Sequence, residues 1–311
     1  MQIYLPIAEI PVNIFLILAL GLITGFLAGM FGIGGGFLAT PFLIFIGVPP
    51  AVAVSTSTNQ IISASVSGLL AHFKKSNVDI KMGVFLAIGG VIGSSVGVTI
   101  FRFLQGAGQI DLVIAITYVL FLGIISLTML SDSFKSFIDK KFGMDWQHRF
   151  DDKVKFHWLL HKIEKLPFKT YFSKSEVYIS ILVPIFLSFG IGILVSIMGI
   201  GGGFLMIPAM IYILQMPSHL VVGTSLFQII FIASNATFLQ AISGNNVDIV
   251  LGVLMIISSA FGAQVGSRIA YRVDANATRT FLAILLLLIC FKMLFQLFNE
   301  PQSIYSLEIL K

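Results

Sequence analysis

Phe31-Gly-Ile-Gly-Gly-Gly-Phe-Leu38 is repeated almost letter for letter as Met198-Gly-Ile-Gly-Gly-Gly-Phe-Leu205. Both copies lie inside long runs without a charged residue, Val12 to Ala71 and Val177 to Ala241. Three adjacent glycines weaken a helix by about 1 kcal/mol each relative to alanine. In hydrocarbon an unpaired backbone group costs several kcal/mol more. Such a break survives in a membrane only where protein covers it or where it lines a wet cavity.

The match extends outward from the two breaks. Pro41 pairs with Pro208. Gly21, Gly25 and Gly29 pair with Ser188, Gly192 and Ser196. Thr56-Ser57 and Gln60-Ile-Ile62 pair with Thr224-Ser225 and Gln228-Ile-Ile230. Asn77-Val-Asp-Ile80 pairs with Asn246-Val-Asp-Ile249. The nearly constant offset along this series marks an internal duplication.

Of the 311 residues, 57% are hydrophobic and 11% are charged. A soluble protein carries roughly 25% charged residues. The uncharged runs far exceed the ~20 residues that cross a bilayer. The fold expected is therefore an all-α polytopic membrane protein of two repeats with glycine-broken helices. Membrane segments are read at 11–30, 37–50, 52–71, 82–102 and 110–131, then 177–197, 204–216, 219–240, 248–268 and 277–298. This divides the chain into a first repeat, 1–131, a polar loop, 132–176, and a second repeat, 177–311. The N-terminus lacks a basic stretch ahead of its apolar run, so the first helix is expected to be retained.

Eight or ten crossings fit, depending on whether the short proline-bearing segments cross or dip back. With ten, Lys74, Lys75, Lys81, Arg268, Arg272, Arg279 and the basic residues of 132–176 share one face. Arg102 and Lys311 remain opposite. The excess of basic residues on the cytoplasmic side favours this inverted five-plus-five plan. The 132–176 loop is then cytoplasmic. Within it, Phe156, Leu159, Leu160, Ile163 and Leu166 recur at helical spacing among lysines, as in a helix lying on an anionic leaflet.

The chemistry is expected at the breaks. A helix that restarts after a break aims its N-terminus, with free donors and partial positive charge, at the gap. The predicted anion-binding residues are Gly32, Gly34, Gly35 and Gly36 with Gly199, Gly201, Gly202 and Gly203. The polar side chains Thr56, Ser57, Asn59, Gln60, Thr224, Ser225 and Gln228 join them, as neutral donors that bind an oxyanion weakly enough to release it. Hydrogen bonds between helices are the competing role for these side chains. The widely spaced glycines read as helix-packing positions. Asp79 and Asp248 precede apolar runs and read as helix N-caps. His157, His161 and Glu164 have ligand spacing but read as a wet helix face. One cysteine, Cys290, excludes an internal disulfide. No catalytic set, cofactor motif, metal cluster or nucleic-acid surface is predicted.

The doubled GIGGGFL-x-x-P segments, each followed by a Thr-Ser and Gln stretch, resemble the TauE/SafE family of sulfite exporters. The resemblance implies a permease of the bacterial inner membrane with duplicated halves. It implies as substrate a small oxyanion: sulfite, sulfoacetate or a related organosulfonate. Export is the leading expectation. Uptake of a sulfur-containing or carboxylate anion, an anion channel, and a non-transporting scaffold are the alternatives. The expected partners are the anion and membrane lipid, with a homodimer left open.

Overall fold

The computed structural model describes residues 2–142, 167–244, 246–269 and 275–298. The helix expected around 156–166, with His157, His161 and Glu164, lies outside them. The described residues contain ten helices and two hairpins. In chain order these are β1 (Gln2–Leu5), β2 (Ile10–Asn13), α1 (Ile14–Phe31), α2 (Gly36–Phe45), α3 (Pro50–Phe73), α4 (Ile80–Gly106) and α5 (Ile110–Phe142). Then come β3 (Lys169–Phe172), β4 (Val177–Ser180), α6 (Leu182–Met198), α7 (Gly203–Tyr212), α8 (Ser218–Gly244), α9 (Ile249–Ile269) and α10 (Ala275–Phe298).

Six of the helices, α1, α4, α5, α8, α9 and α10, are long and apolar enough to cross a membrane. The apolar α2, α6 and α7 are shorter. At 24 residues α3 is long enough to span, but it carries the polar stretch from Ser55 to Gln60. Large apolar side chains such as Phe103, Phe238, Ile249 and Phe261 stand exposed on outer faces, where lipid rather than water suits them. The protein is a polytopic, all-α integral membrane protein.

Two compact units divide the chain. α5 and α10 make the smaller one. There the Cys290 thiol donates to the Val119 carbonyl over 3.5 Å. The remaining helices and both hairpins make the larger one. Residues 1–131 and 177–311 therefore each contribute to both units.

Helix directions in the larger unit follow from which residues meet. A β-carbon on Gly25 would lie 2.5 Å from the Ser259 Cα, and one on Gly29 2.8 Å from that of Ala263. α1 and α9 thus run the same way. β-Carbons on Gly89, Gly93 and Gly97 would meet Ile185, Phe189 and Ile193, so α4 and α6 also run together. Ser63 and Ser67 donate to the Ile256 and Ala260 carbonyls, which sets α3 parallel to α9. Between α3 and α8 the order reverses. Thr58 meets Thr237 at 2.7 Å, whereas a β-carbon on Gly68 would meet Leu226. Small residues permit these close backbone approaches, as their spacing predicted.

The segments expected to be helical from 11 and 177 instead begin as strands. β1 pairs with β2, Leu5 opposite Ile10, and β3 pairs with β4, Phe172 opposite Val177. Polar caps set the later helix starts. Asn13 accepts from the Phe15 N–H, and Ser180 accepts from the Leu182 N–H. Asp79 and Asp248 are N-caps as read, accepting from the Met82 and Leu251 N–H groups at 3.0 Å.

Candidate functional site

Both glycine segments interrupt the helices. Gly32 and Gly199 close α1 and α6 in the left-handed region, φ 71° and 67°, each donating its N–H at 2.8 Å to the carbonyl four residues back. Two further glycines hold positive φ in each break, Gly34 and Gly35, then Gly201 and Gly202. A side chain at any of these would be strained. The non-helical residues are 32–35 and 199–202. Gly36 and Gly203, expected inside the breaks, are instead the first residues of α2 and α7, because N–H groups of the next turn already close on Gly35 and Gly202.

The two breaks touch. A β-carbon on Gly36 would overlap the carbonyl oxygen of Gly199. One on Gly203 would lie 2.9 Å from the Ile33 oxygen. The Phe37 and Phe204 rings, from the first turns of α2 and α7, stack with centroids 5.3 Å apart. Ile61 of α3 is wedged against Gly34, Gly36 and Gly201, and Ile229 of α8 against Gly34 and Gly203. The centre of the larger unit is thus a meeting of two broken helices, closed by two phenylalanines and two isoleucines. Among the described residues, no hydrogen bond engages the N–H groups of Gly34, Gly35, Gly36 and Phe37.

The polar side chains divide into three groups. Thr56 and Thr224 reach across between the halves, accepting the Asp248 N–H at 3.1 Å and the Asp79 N–H at 2.9 Å. Ser57 and Ser225 donate within their own helices to Val54 and Val222, 2.9 Å each, and face the Gly199 and Gly32 carbonyls at 3.5 and 3.4 Å. Ser57 also meets Thr40 of α2 at 2.7 Å. Gln60 donates to Thr24 of α1, and its Oε1 is buried without a partner. Gln228 accepts from Ser188 at 3.4 Å, and its Nε2 is buried without a partner.

Ser57, Ser225 and the glycines therefore come together at the breaks. Asn59 does not join them: it packs toward Gly252 of α9, where its Nδ2 would lie 3.3 Å from a β-carbon. Ser65 escaped the sequence reading. It is fully buried, its Oγ lacks a partner, and it would lie 3.6 Å from a β-carbon on Gly34. Its counterpart in the second half is Ala233, so a search for residues present in both halves passes over it. An apolar groove between α4 and α8, lined by Val84, Ile88, Val91, Phe227 and Phe231, suits an acyl chain and not an ion. Among the described residues, no group of three or more His, Cys, Asp or Glu side chains is placed to hold a metal ion.

Six apolar spans and paired broken helices in contact are the parts from which membrane carriers build their sites. The chain belongs to the sulfite exporter TauE/SafE family, whose model matches residues 17–293. It is 27% identical to the probable membrane transporter protein YunE of Bacillus subtilis, over 90% of this chain and 97% of that one. It is also 27% identical to the probable membrane transporter protein YjnA of the same organism, over 87% and 96%. A probable membrane transporter protein of Xylella fastidiosa matches at 27% over 82% and 84%. No solved structure matches the chain.

Proposed function

We propose that this protein is a secondary carrier of the bacterial inner membrane that exports a small oxyanion: sulfite, sulfoacetate or a related organosulfonate. The anion binds between two inverted repeats of five segments, and alternating access moves it across. One observation carries this reading. Two glycine breaks at corresponding places in the sequence meet in space, with helix N-termini aimed into the junction and donors left over. Broken helices meeting between inverted repeats form the sites of many carriers.

The helix directions support the inversion. α1 and α3 run one way, and α6 and α8, their sequence counterparts, run the other. The basic residues of the 132–176 loop, with Lys74, Lys75 and Lys81, make that loop cytoplasmic in this plan. In this reading the closed centre is one stage of the alternating-access cycle. Export needs no ion gradient of its own, because an anion leaving a cell gains about 2.3 kcal/mol per charge per 100 mV.

The test is tracer flux in proteoliposomes with labelled sulfite, sulfoacetate, sulfate and acetate. Saturation and counterflow are expected for the sulfur oxyanions. Flux without saturation identifies a channel, and no flux of any anion removes the transport reading. Gln228→Ala should weaken apparent affinity about tenfold or more, the loss of one hydrogen bond from its free Nε2 to a charged group being about 1.5–3 kcal/mol. Gln60→Ala should weaken it less, because the Gln60 Nε2 already donates to Thr24 and its free oxygen only accepts. Unchanged affinity in both variants would place these amides among the helix-packing contacts only.

A further inference from the structure

Buried polar atoms are almost always hydrogen-bonded, and each exception needs an explanation. Among the described residues five buried side-chain atoms lack a partner: Gln60 Oε1, Ser65 Oγ, His72 Nδ1, Gln228 Nε2 and Gln240 Oε1. All five belong to α3 or α8, the antiparallel pair at the centre of the larger unit. Four form two corresponding pairs in the repeat, Gln60 with Gln228 and His72 with Gln240. The first pair belongs to the site already described. The second does not.

His72 stands in the last turn of α3, and Gln240 in the last turns of α8. Each lies twelve residues beyond its glutamine, about 18 Å along a helix. Because α3 and α8 run in opposite directions, the two positions lie toward opposite ends of the unit. Ser65, two turns before His72, shares its side of α3. Gln240 is 2% exposed and donates to the Ser196 carbonyl in the last turn of α6, just ahead of the second break. The five atoms are of mixed character. Two amide oxygens only accept, one amide nitrogen only donates, and a hydroxyl and an imidazole nitrogen can do either. A dry anion site would offer donors alone. A mixed set is satisfied together by water, which supplies both.

We propose that a hydrated route runs from the central site to the two membrane faces, one arm along α3 through Ser65 to His72 and the other along α8 to Gln240 at its α6 contact, with His72 and Gln240 as its two mouths. The route takes a small oxyanion together with its water, and in this respect it rests on the transport reading above. In the present conformation the packing of Gly68 against Leu226, together with Ile61 and Ile229, closes it between the mouths.

The test uses the full chain with Cys290→Ser and single cysteines at His72 or Gln240. The probe is a membrane-impermeant anionic maleimide, applied to right-side-out or inverted vesicles. Maleimide needs a thiolate, which forms only where water reaches the sulfur. Exposed Lys74→Cys and Gln109→Cys report the two faces. The expected result is that His72→Cys labels from the same face as Lys74→Cys, and Gln240→Cys from the same face as Gln109→Cys. Labelling of neither, or of both from one face, overturns the proposal. Sulfoacetate should slow both reactions. If labelling occurs from opposite faces but no anion of the panel slows it, the route stands and the proposed substrate class falls. As a check that does not depend on cysteine, His72→Leu or Gln240→Leu should lower sulfoacetate flux about tenfold, equivalent to ~1.4 kcal/mol. His72→Gln, which installs the side chain of the corresponding position, should recover most of that loss. Equal flux in the leucine variants and the native chain also overturns the proposal.

Discussion

Replacing Gly36 with alanine is expected to abolish measurable transport and to lower the melting temperature more than the same change at any other glycine of α2 or α7. The added methyl overlaps two things at once, the Gly199 carbonyl oxygen of the opposite break and the tip of Ile61. A side-chain tip can rotate away. The carbonyl cannot, because Gly199 is fixed by its own capping bond to Val195. Overpacking of this kind costs about 1–3 kcal/mol, and displaced backbone adds to it. Gly203→Ala provides a graded comparison. Its β-carbon would approach the Ile33 oxygen at 2.9 Å and Ile229 Cδ1 at 2.8 Å, a shallower overlap than the one at Gly36. Gly190→Ala is the control. Nothing lies within 4 Å of its β-carbon, and α6 should gain up to about 1 kcal/mol of helix propensity there. Melting curves in detergent and flux after reconstitution measure all three. If Gly36→Ala and Gly190→Ala behave alike, the two breaks are not in the contact described here.

Where the fold was legible from sequence, a local rule was enough. The breaks follow from glycine runs in hydrocarbon, the spaced glycines from close helix packing, and the caps from aspartates ahead of apolar runs. The hairpins were not legible. Each strand has only four residues, and β2 and β4 run straight into apolar helices, so β2–α1 and β4–α6 each read as one segment. Partners across the halves were also hidden. Thr56 and Thr224 read as anion donors in sequence, and each also accepts a backbone N–H of the other half. Polarity and repetition mark such residues as important but do not say what they face. Asn59 shows the same limit. It is a neighbour of Gln60 in sequence, yet the helical turn carries it to α9. Ser65 and Gln240 lie beyond the polar cluster, and only the absence of a partner in space distinguishes them.

The two capping aspartates should separate in how they fail. Asp248 is fully buried and serves three N–H groups with one carboxylate. Oδ1 accepts from Leu251 at 3.0 Å, and Oδ2 accepts from Ile7 at 2.9 Å and Ala8 at 3.4 Å, in the turn of the first hairpin. Asp248→Ala removes the cap of α9 and strands backbone donors of the other half. Each hydrogen bond to a charged group contributes about 1.5–3 kcal/mol, so a loss of roughly 4 kcal/mol or more is expected. No change in the hairpin side chains can mimic it, because the donors are backbone. Asp79 is built differently. Its Oδ1 caps α4 at Met82, and its Oδ2 accepts from the Ser175 hydroxyl at 2.5 Å, in the turn of the second hairpin. Ser175→Ala should therefore reproduce most of the part of the Asp79→Ala loss that is not capping, about 1–2 kcal/mol of it. Adding Ser175→Ala to Asp79→Ala should then cost little more. The readouts are thermal unfolding and proteolysis of the hairpin turns, which should loosen at Ile7 in the Asp248 variant and at Ser175 in the Asp79 variant. If both hairpins stay protected in both variants, the carboxylates only cap their own helices, and the hairpins are held by the packing of Leu5 and Phe172 alone.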